Sequence, residues 1–294
     1  MPILITGASG FVGRALVREL RSRGASLRCV VGPTARFLPA DEGVQVVRRD
    51  LGAPLNLTHL FSGVDTVVHL AGASDGFDPA RVTRVNYGST FNLVEAACEV
   101  GIKRFLLLSL LGSAPEKSAP HAYSKWLAQE TVRRSGLGFT ILKSSLLMGA
   151  GDRFLTPLLE RIASASILPV PGIGRVRLQP LWVGDAVRAL LRCLEDPTSA
   201  GRSYVLCGPE AFSFRAVLER LMAWTKRRRA LLPVPPPVFS RWAAGLPSHP
   251  IAIVGELARL RRDSVAAPDA ICRTFGFPAR GLEEVLEEFG AAQT

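Results

Sequence analysis

The chain has 294 residues, 48% of them hydrophobic and 21% charged. It is long and apolar enough to bury a core without staples, and wholesale disorder is excluded. Its net charge of +11 admits nucleic acid, an anionic membrane surface or an acidic ligand, and a ratio of 31 Arg to 5 Lys also admits plain base composition of the genome. No apolar run approaches the ~20 residues that cross a bilayer. The first residues lack the basic, apolar and small-residue succession of a secretory leader. Five scattered cysteines (Cys29, Cys98, Cys193, Cys207, Cys272) with no C-x-x-C pair argue against a disulfide framework or a zinc site. A cytoplasmic protein is expected, with the inner face of the membrane as the alternative.

In chain order, strands are predicted at 3–6, 27–31, 44–48, 65–70, 104–109 and 139–143. Helical spacing covers 11–23, 80–100 and 123–134. Short apolar strands alternating with amphipathic helices specify an α/β fold, a Rossmann-type doubly wound parallel sheet. Beyond Ser144 the pattern loosens. Helices are expected at 153–165, 183–194, 214–224, 251–262 and 282–289, a strand at 203–206, and turns at 169–174. A proline cluster occupies 233–237. The predicted organisation is a dinucleotide-binding core over 1–165, completed by segments within 176–207, and a smaller, mainly helical region over 208–294.

Thr6-Gly7-Ala8-Ser9-Gly10-Phe11-Val12-Gly13 follows the first strand and opens the first helix, the setting that gives such a motif its meaning. Gly7 suits a tight turn, Gly10 the close approach of backbone to a pyrophosphate, and Gly13 close helix–strand packing. The helix N-terminus adds N–H donors and partial positive charge.

This motif, with RRDL at 48–51, VVHLAG at 67–72, VNYGSTFNLVEAA at 85–97 and PLWVGDAV at 180–187, resembles the short-chain dehydrogenase/reductase superfamily, especially its extended and atypical members. The resemblance implies a bound dinucleotide held by Gly7, Ser9, Gly10, Phe11, Val12 and Gly13. It places Asp50 and Leu51 beside the adenine. Leu70, Ala71 and Gly72 pass under the ribose and pyrophosphate, and Asn86 serves as the helix asparagine of extended members. The stretch 148–155, with its G-x-x-D-R-F-L pattern, is similar to the atypical group containing the nucleotide-binding accessory subunit of respiratory complex I. Asp152-Arg153 and Asp185 have a plain structural reading at helix starts.

The second predicted strand ends Cys29-Val30-Val31-Gly32 without a carboxylate, and Arg36 lies a few residues on. A carboxylate would repel a ribose 2′-phosphate whereas a guanidinium pairs with one, so the site logic favours NADP(H) and leaves NAD(H) open.

In the superfamily a Tyr four residues before a Lys handles the substrate proton, the Lys lowers the Tyr pKa and holds the nicotinamide ribose, and a Ser ends the fifth strand. Lys125 and Ser109 match, and both belong to the expected cofactor and catalytic sets. Four residues before Lys125 stands His121. Tyr123 is two before it, about 200° around a regular helix, and reaches the site only from a loop. His121 has the range to shuttle protons; its bland reading is a surface residue after Pro120.

The C-terminal region offers few polar catalytic groups, and His249 reads as a surface residue. Residues 213–262 carry ten Lys/Arg against Glu219 and Glu256, with Phe214, Trp224, Phe239 and Trp242 among them. Such a stretch suits an anionic membrane surface or a protein complex, or else its aromatics fill a small core. Nucleic acid is the least expected partner. Two functions compete. One is an NAD(P)(H)-binding protein with a degraded catalytic pair and a structural, assembly or redox-sensing role. The other is an active NADP-dependent oxidoreductase or epimerase-like enzyme on a hydrophobic, quinone- or isoprenoid-like molecule.

Overall fold

The computed structural model describes residues 1–35, 42–53, 56–73, 78–152, 154–244 and 263–291. Strands β1 (Ile3–Thr6), β2 (Leu27–Val31), β3 (Val44–Arg48), β4 (Thr66–His69), β5 (Arg104–Leu110) and β6 (Gly138–Ser144) are short apolar runs, as the sequence predicts. Together with β11 (Arg202–Leu206) they form one parallel sheet in the order β11-β6-β5-β4-β1-β2-β3. From β1 the chain runs outward first to one side and later to the other, so the gap beyond the ends of β1 and β4 is the topological switch point where such sheets bind ligands.

Side-chain alternation along these strands feeds two cores. On one face Ile5, Val68, Leu106 and Leu142 meet Leu16 and Leu20 of α1 (Phe11–Ser22) and Ala186, Ala189 and Leu190 of α6 (Val183–Glu195). On the other face Leu4, Val67, Phe105 and Ile141 meet Leu93, Val94 and Ala97 of α3 (Ser89–Glu99) and Val132 of α4 (Pro120–Arg134). Neighbouring residues point to opposite faces, which is why these strands read as continuous apolar runs.

The helix predicted over 80–100 is divided. A short α2 (Pro79–Thr83), capped by the Asp78 carboxylate on the Ala80 and Arg81 amides, runs through one π-turn (Arg84–Gly88) into α3. That turn carries Asn86, and such an insertion often marks a functional position.

A further core lies beyond the sheet. Leu146, Met148, Leu155, Leu158, Ile162, Leu168 and Val170 pack with Phe212, Phe214, Val217, Leu221, Phe239, Leu282 and Phe289. Its elements are α5 (Leu155–Ser164), α7 (Phe214–Trp224), α8 (Pro236–Ala244) and α10 (Leu282–Ala291), joined by short ribbons, whereas α9 (Ala270–Phe275) packs through Ile271 on the α1–α6 face of the sheet. Strand β7 (Leu147–Met148) pairs with β10 (Leu181–Trp182), and β9 (Arg177–Leu178) with β12 (Phe212–Ser213). Strand β8 (Ile167–Pro171) pairs with β13 (Ala230–Val234). Residues 146–178 thus share this core with the C-terminal region.

One expectation is corrected in part and one open alternative is decided. Of the turns predicted at 169–174, residues 169–171 belong to β8 and 172–174 form the turn, and the proline cluster at 233–237 begins in the last two residues of β13. Phe214 and Phe239 are fully buried against each other edge to face, with ring centroids 5.5 Å apart, and Trp224 and Trp242 pack on the same core. The aromatics point inward because their area gains more from the core than from solvent, so they form no outward interfacial stripe. The helix expected over 251–262 and His249 lie outside the described residues.

The C-terminal segment is clasped to the sheet by buried polar groups. Gln179 donates from Nε2 to the Gly208 carbonyl at 2.7 Å and accepts from the Ala266 amide at 2.8 Å. Ser145 donates from Oγ to the Ser264 carbonyl at 3.1 Å. Among the described residues no helix is long and apolar enough to cross a membrane.

Replacing Phe239 with Ala removes a fully buried ring from the further core. The expected loss is about 3–5 kcal/mol in urea unfolding; a loss below about 1 kcal/mol would show that α8 does not hold that core.

Candidate functional site

The Gly loop sits at the switch point with two close backbone approaches. Gly7 has φ +68°, and a Cβ there would lie 2.6 Å from the Ala71 amide nitrogen. A Cβ on Gly13 would come within 2.7 Å of the Ala8 Cα, so the first turn of α1 nests against the loop. Gly10 is the N-cap of α1; no side chain caps the helix, and no carboxylate stands in its first turn. Its N-terminal amides and partial positive charge therefore face the cleft without a built-in anion. The Ser9 carbonyl is held by Arg14 Nη1 at 3.1 Å, while Phe11 and Val12 are half-buried at the helix start.

Opposite the loop, Leu70, Ala71 and Gly72 leave β4. A Cβ on Gly72 would lie 2.6 Å from Lys125 Nζ and 3.1 Å from Asn86 Oδ1, so a side chain there would crowd the Asn86 oxygen and push the amine aside. The buried Asn86 accepts from the Ala73 amide at 2.9 Å, and its Nδ2 donates to the Ala73 carbonyl and to Ser124 Oγ, each at 3.0 Å. This double hold fixes the β4 exit to the helix that carries Lys125. A dinucleotide fits the result: the cradle is lined by glycines whose side chains would fill it, with a helix N-terminus at one end and an ammonium at the other.

Beneath the loop runs a buried polar chain that sequence reasoning missed. Thr6 Oγ1 lies 2.6 Å from His69 Nδ1, His69 Nε2 lies 2.9 Å from Thr90 Oγ1, and Thr90 donates to the Asn86 carbonyl at 2.6 Å. Thr6 Oγ1 also accepts from the Ala71 amide at 3.3 Å. Thr90 spends its one proton on the Asn86 carbonyl and so receives from Nε2–H; with the ring neutral, Nδ1 accepts from the Thr6 hydroxyl. Burial, reinforced by Lys125, pushes the His69 pKa down to about 3. The available signal was a histidine inside the apolar run 67–70, which demands partners when buried.

The catalytic candidates are placed differently from expectation. Helix α4 begins at Pro120, and the Tyr123 amide already donates to the Ala119 carbonyl at 2.8 Å. Tyr123 is therefore within a regular helix, stacked on Trp126 at 6.0 Å, and does not reach Lys125 from a loop. His121 is buried, not a surface residue, and its position four residues before Lys125 puts it on that residue's helix face. Burial first and Lys125 second push the His121 pKa down to about 3, while the Ala73 backbone pulls the other way. Lys125 is half-buried, and desolvation lowers its pKa to about 8. Ser109, one residue before the end of β5, accepts at Oγ from Gln129 Nε2 at 2.8 Å. Gln129 also donates to Ser113 Oγ at 2.8 Å, so that hydroxyl is engaged by α4.

Just past the end of β3, both Asp50 oxygens are in use. Arg84 Nη1 donates to Oδ2 at 2.6 Å and the Gly52 amide to Oδ1 at 3.0 Å. The Arg84 bond above all holds the Asp50 carboxyl below its ordinary pKa. Leu51 is buried beside it. Arg36 lies outside the described residues. Arg48 is described: it stands opposite Val31 in the β2–β3 register, and its Nη1 donates to the Ala35 carbonyl at 2.8 Å. A guanidinium thus occupies the exit of β2. Away from the cradle, Asp152 caps the start of α5, accepting from the Phe154 and Thr156 amides, and Asp185 accepts from the Arg280 amide at 2.7 Å. Burial raises the pKa of both carboxyls. Arg153 lies outside the described residues. No group of three or more His, Cys, Asp or Glu able to hold a metal occurs among the described residues.

A family profile described as "NAD dependent epimerase/dehydratase family" matches residues 3–207. Ceramide reductase of Caulobacter vibrioides is 34% identical over 197 residues, covering 66% of this chain and 61% of that protein. The chain thus spans about three-fifths of that relative's length. The mitochondrial NADH dehydrogenase [ubiquinone] 1 alpha subcomplex subunit 9 of Arabidopsis thaliana is 24% identical over 286 residues, covering 91% of this chain and 71% of that protein. Among solved structures, MoeE5 in complex with UDP-glucuronic acid and NAD superposes with a TM-score of 0.79 at 24% identity, covering all of both chains, which shows the shared fold.

The neutral His69 makes stability depend on pH with a definite sign. Below the ordinary histidine value of 6.5 the unfolded chain takes up a proton that the folded chain refuses until about pH 3. Its contribution is therefore present above pH 6.5 and is lost as pH falls. Between pH 6.5 and 5 wild type should lose about 2 kcal/mol more than His69→Gln in urea unfolding; equal losses would show that the imidazole is not held neutral.

Proposed function

Because the chain belongs to the NAD dependent epimerase/dehydratase family, we propose that it holds NADP(H) at the switch point and carries little turnover by the usual tyrosine chemistry. The carrying observation is His121. It occupies the helix position from which a tyrosine would act, and its ring, with a pKa near 3, is a neutral imidazole at physiological pH. A neutral imidazole is a far weaker acid than a phenol, so this position does not readily deliver a proton to a substrate oxygen. Tyr123 lies against Trp126 on another face of α4.

Gly7, Ser9, Gly10, Phe11, Val12 and Gly13 would bind the pyrophosphate, Leu70 to Gly72 would pass under the ribose, and Lys125 would hold the nicotinamide ribose, with Asn86 and Ser109 supporting that end. Leu51 would line the adenine, and Asp50, tied to Arg84, would frame it. The preference for NADP(H) over NAD(H) rests on the carboxylate-free end of β2, on Arg48 at its exit, where a 2′-phosphate would find a guanidinium partner, and on Arg36, five residues past that strand end in the sequence. When bound, the nicotinamide supplies or accepts a hydride. Similarity to the complex I subunit supports a role as a dinucleotide-stabilised structural or assembly component of the same atypical group, or as a redox sensor.

A second reading is favoured by Lys125. With a pKa near 8, its ammonium can release a proton from Nζ close to neutral pH, and it lies against the open Gly72. Lys125 would then be the acid of an NADP-dependent reductase acting on a hydrophobic carbonyl or quinone, the direction in which similarity to a ceramide reductase points.

Mass spectrometry of nucleotide released from the purified protein, with NADPH titration, separates these readings. We expect about one NADPH per chain, binding tighter than NADH, no binding in Gly13→Asp, and NADPH oxidation at the background rate on quinone and carbonyl panels. Affinity should weaken as pH rises above about 8, because the protonated Lys125 is the form a polyanion stabilises. Turnover that Lys125→Ala abolishes would establish the reductase reading instead, and absence of NADPH and NADH binding would overturn both.

A further inference from the structure

Four of the seven large hydrophobic side chains most exposed among the described residues lie on or beside the ribbon β8–β13: Ile167 at 56%, Leu232 at 51%, Ile173 at 54% and Val238 at 53%. The reason is alternation. Leu168 and Val170 of β8 point into the further core and Leu231 packs on it from β13. The register pairs Ile167 with Ala230 and Pro169 with Leu232, so Ile167 and Leu232 share the outward face with Ala230 and Pro169, while Ile173 and Val238 lie just beyond the strand ends. Isolated exposed leucines are ordinary; a cluster on one two-stranded face is not.

Directly before β13 come Lys226, Arg227, Arg228 and Arg229. With Met222 and Ala223 they line an open groove of about 650 Å³. Two of these cations are anchored. Arg227 Nη1 donates to the Ala163 carbonyl at 2.9 Å and Arg229 Nε to the Ile162 carbonyl at 2.7 Å. These are carbonyls of the last turn of α5, where the helix dipole favours positive charge. The Ala230 amide donates to the Ser166 carbonyl at 3.0 Å, so the anchored cations stand at the Ile167 end of the ribbon. Carbonyl partners leave their charge in place. Glu219, the acid at this groove, is already paired with Arg215 at 3.5 Å.

We propose that this face, the apolar side of β8–β13 with the Lys226–Arg229 cations at its end, docks on an anionic phospholipid surface. Cations fixed at the rim meet headgroup phosphates while Ile167 and Leu232 enter the acyl boundary. Pro169, Pro171 and Pro233 remove backbone N–H donors from both strands, so the ribbon is a poor template for strand pairing with a second copy. The surface thus differs from the aromatic stripe expected over 213–262, and it is independent of nucleotide binding.

Vesicle flotation of the full chain tests it, comparing neutral phosphatidylcholine with vesicles containing 30% phosphatidylglycerol. We expect binding only to the anionic vesicles, falling steeply as salt rises from 0.1 to 0.5 M. Lys226→Ala with Arg228→Ala, which spares the two anchored arginines, should weaken it on the order of 25-fold. Ile167→Ser with Leu232→Ser should weaken it at least tenfold, with NADPH binding and the thermal melt of both variants retained. Undiminished binding in either variant, equal binding to neutral vesicles or no binding at all overturns the proposal. So does a dimer in analytical ultracentrifugation that Leu232→Ser dissolves, which would assign the face to a second copy.

Discussion

The approach of the Gly7 backbone to Leu70 and Ala71 is the contact on which the site depends. It brings the first turn of the sheet against the exit of β4 at van der Waals distance, which no residue with a Cβ permits. That proximity brings Thr6 Oγ1 to the Ala71 amide and to His69, and His69 in turn to Thr90 and the carbonyl of Asn86. The cradle is therefore not a flexible loop waiting for a ligand but the upper surface of a hydrogen-bonded stack. Buried polar groups in such a stack must all be satisfied together, since each orphan costs about 1–3 kcal/mol. Burial, reinforced by Lys125, keeps the imidazole neutral, and its two nitrogens have the partners that the neutral form requires.

The same stack links the two ends of the cleft. Asn86 belongs to it through its carbonyl, and through its side chain it grips Ala73 and Ser124, one residue from Lys125. The π-turn makes this reach available by adding a residue to the helix where the chain passes the cleft. Positions that would bind opposite ends of a dinucleotide are thereby referenced to one another through two residues, Thr90 and Asn86, neither of which needs to touch the ligand.

The parallel sheet was readable because its strands are buried on both faces and so appear as uninterrupted apolar runs, and the Gly loop because few conformations other than the one seen call for glycines at 7, 10 and 13. Strands β7, β9, β10 and β12 are two residues each and carry no periodicity to read. Proline content hid strands β8 and β13. Lys125 was visible from its helix context, but the start of α4 decided the fate of Tyr123 and His121, and Pro120 at the first helical position was the signal for it. Whether an aromatic residue near many arginines faces in or out is set by tertiary packing, and no local spacing around Phe214 or Phe239 encodes it.

The clasp formed by Gln179, Ser145, Ser264 and Ala266 has a bearing on how the protein comes into being. The Gly loop and six of the seven sheet strands leave the ribosome before β11, and residues 264–266 follow some sixty residues after that strand. N-terminal segments fold as they emerge, so the half of the sheet around β1 can organise during synthesis while Gln179 Oε1 and the Ser145 hydroxyl still await their partners in residues 264–266. The nascent chain therefore passes through a stage with a formed cradle and an open flank, and dinucleotide present at that stage would meet its binding surface before the C-terminal segment has closed.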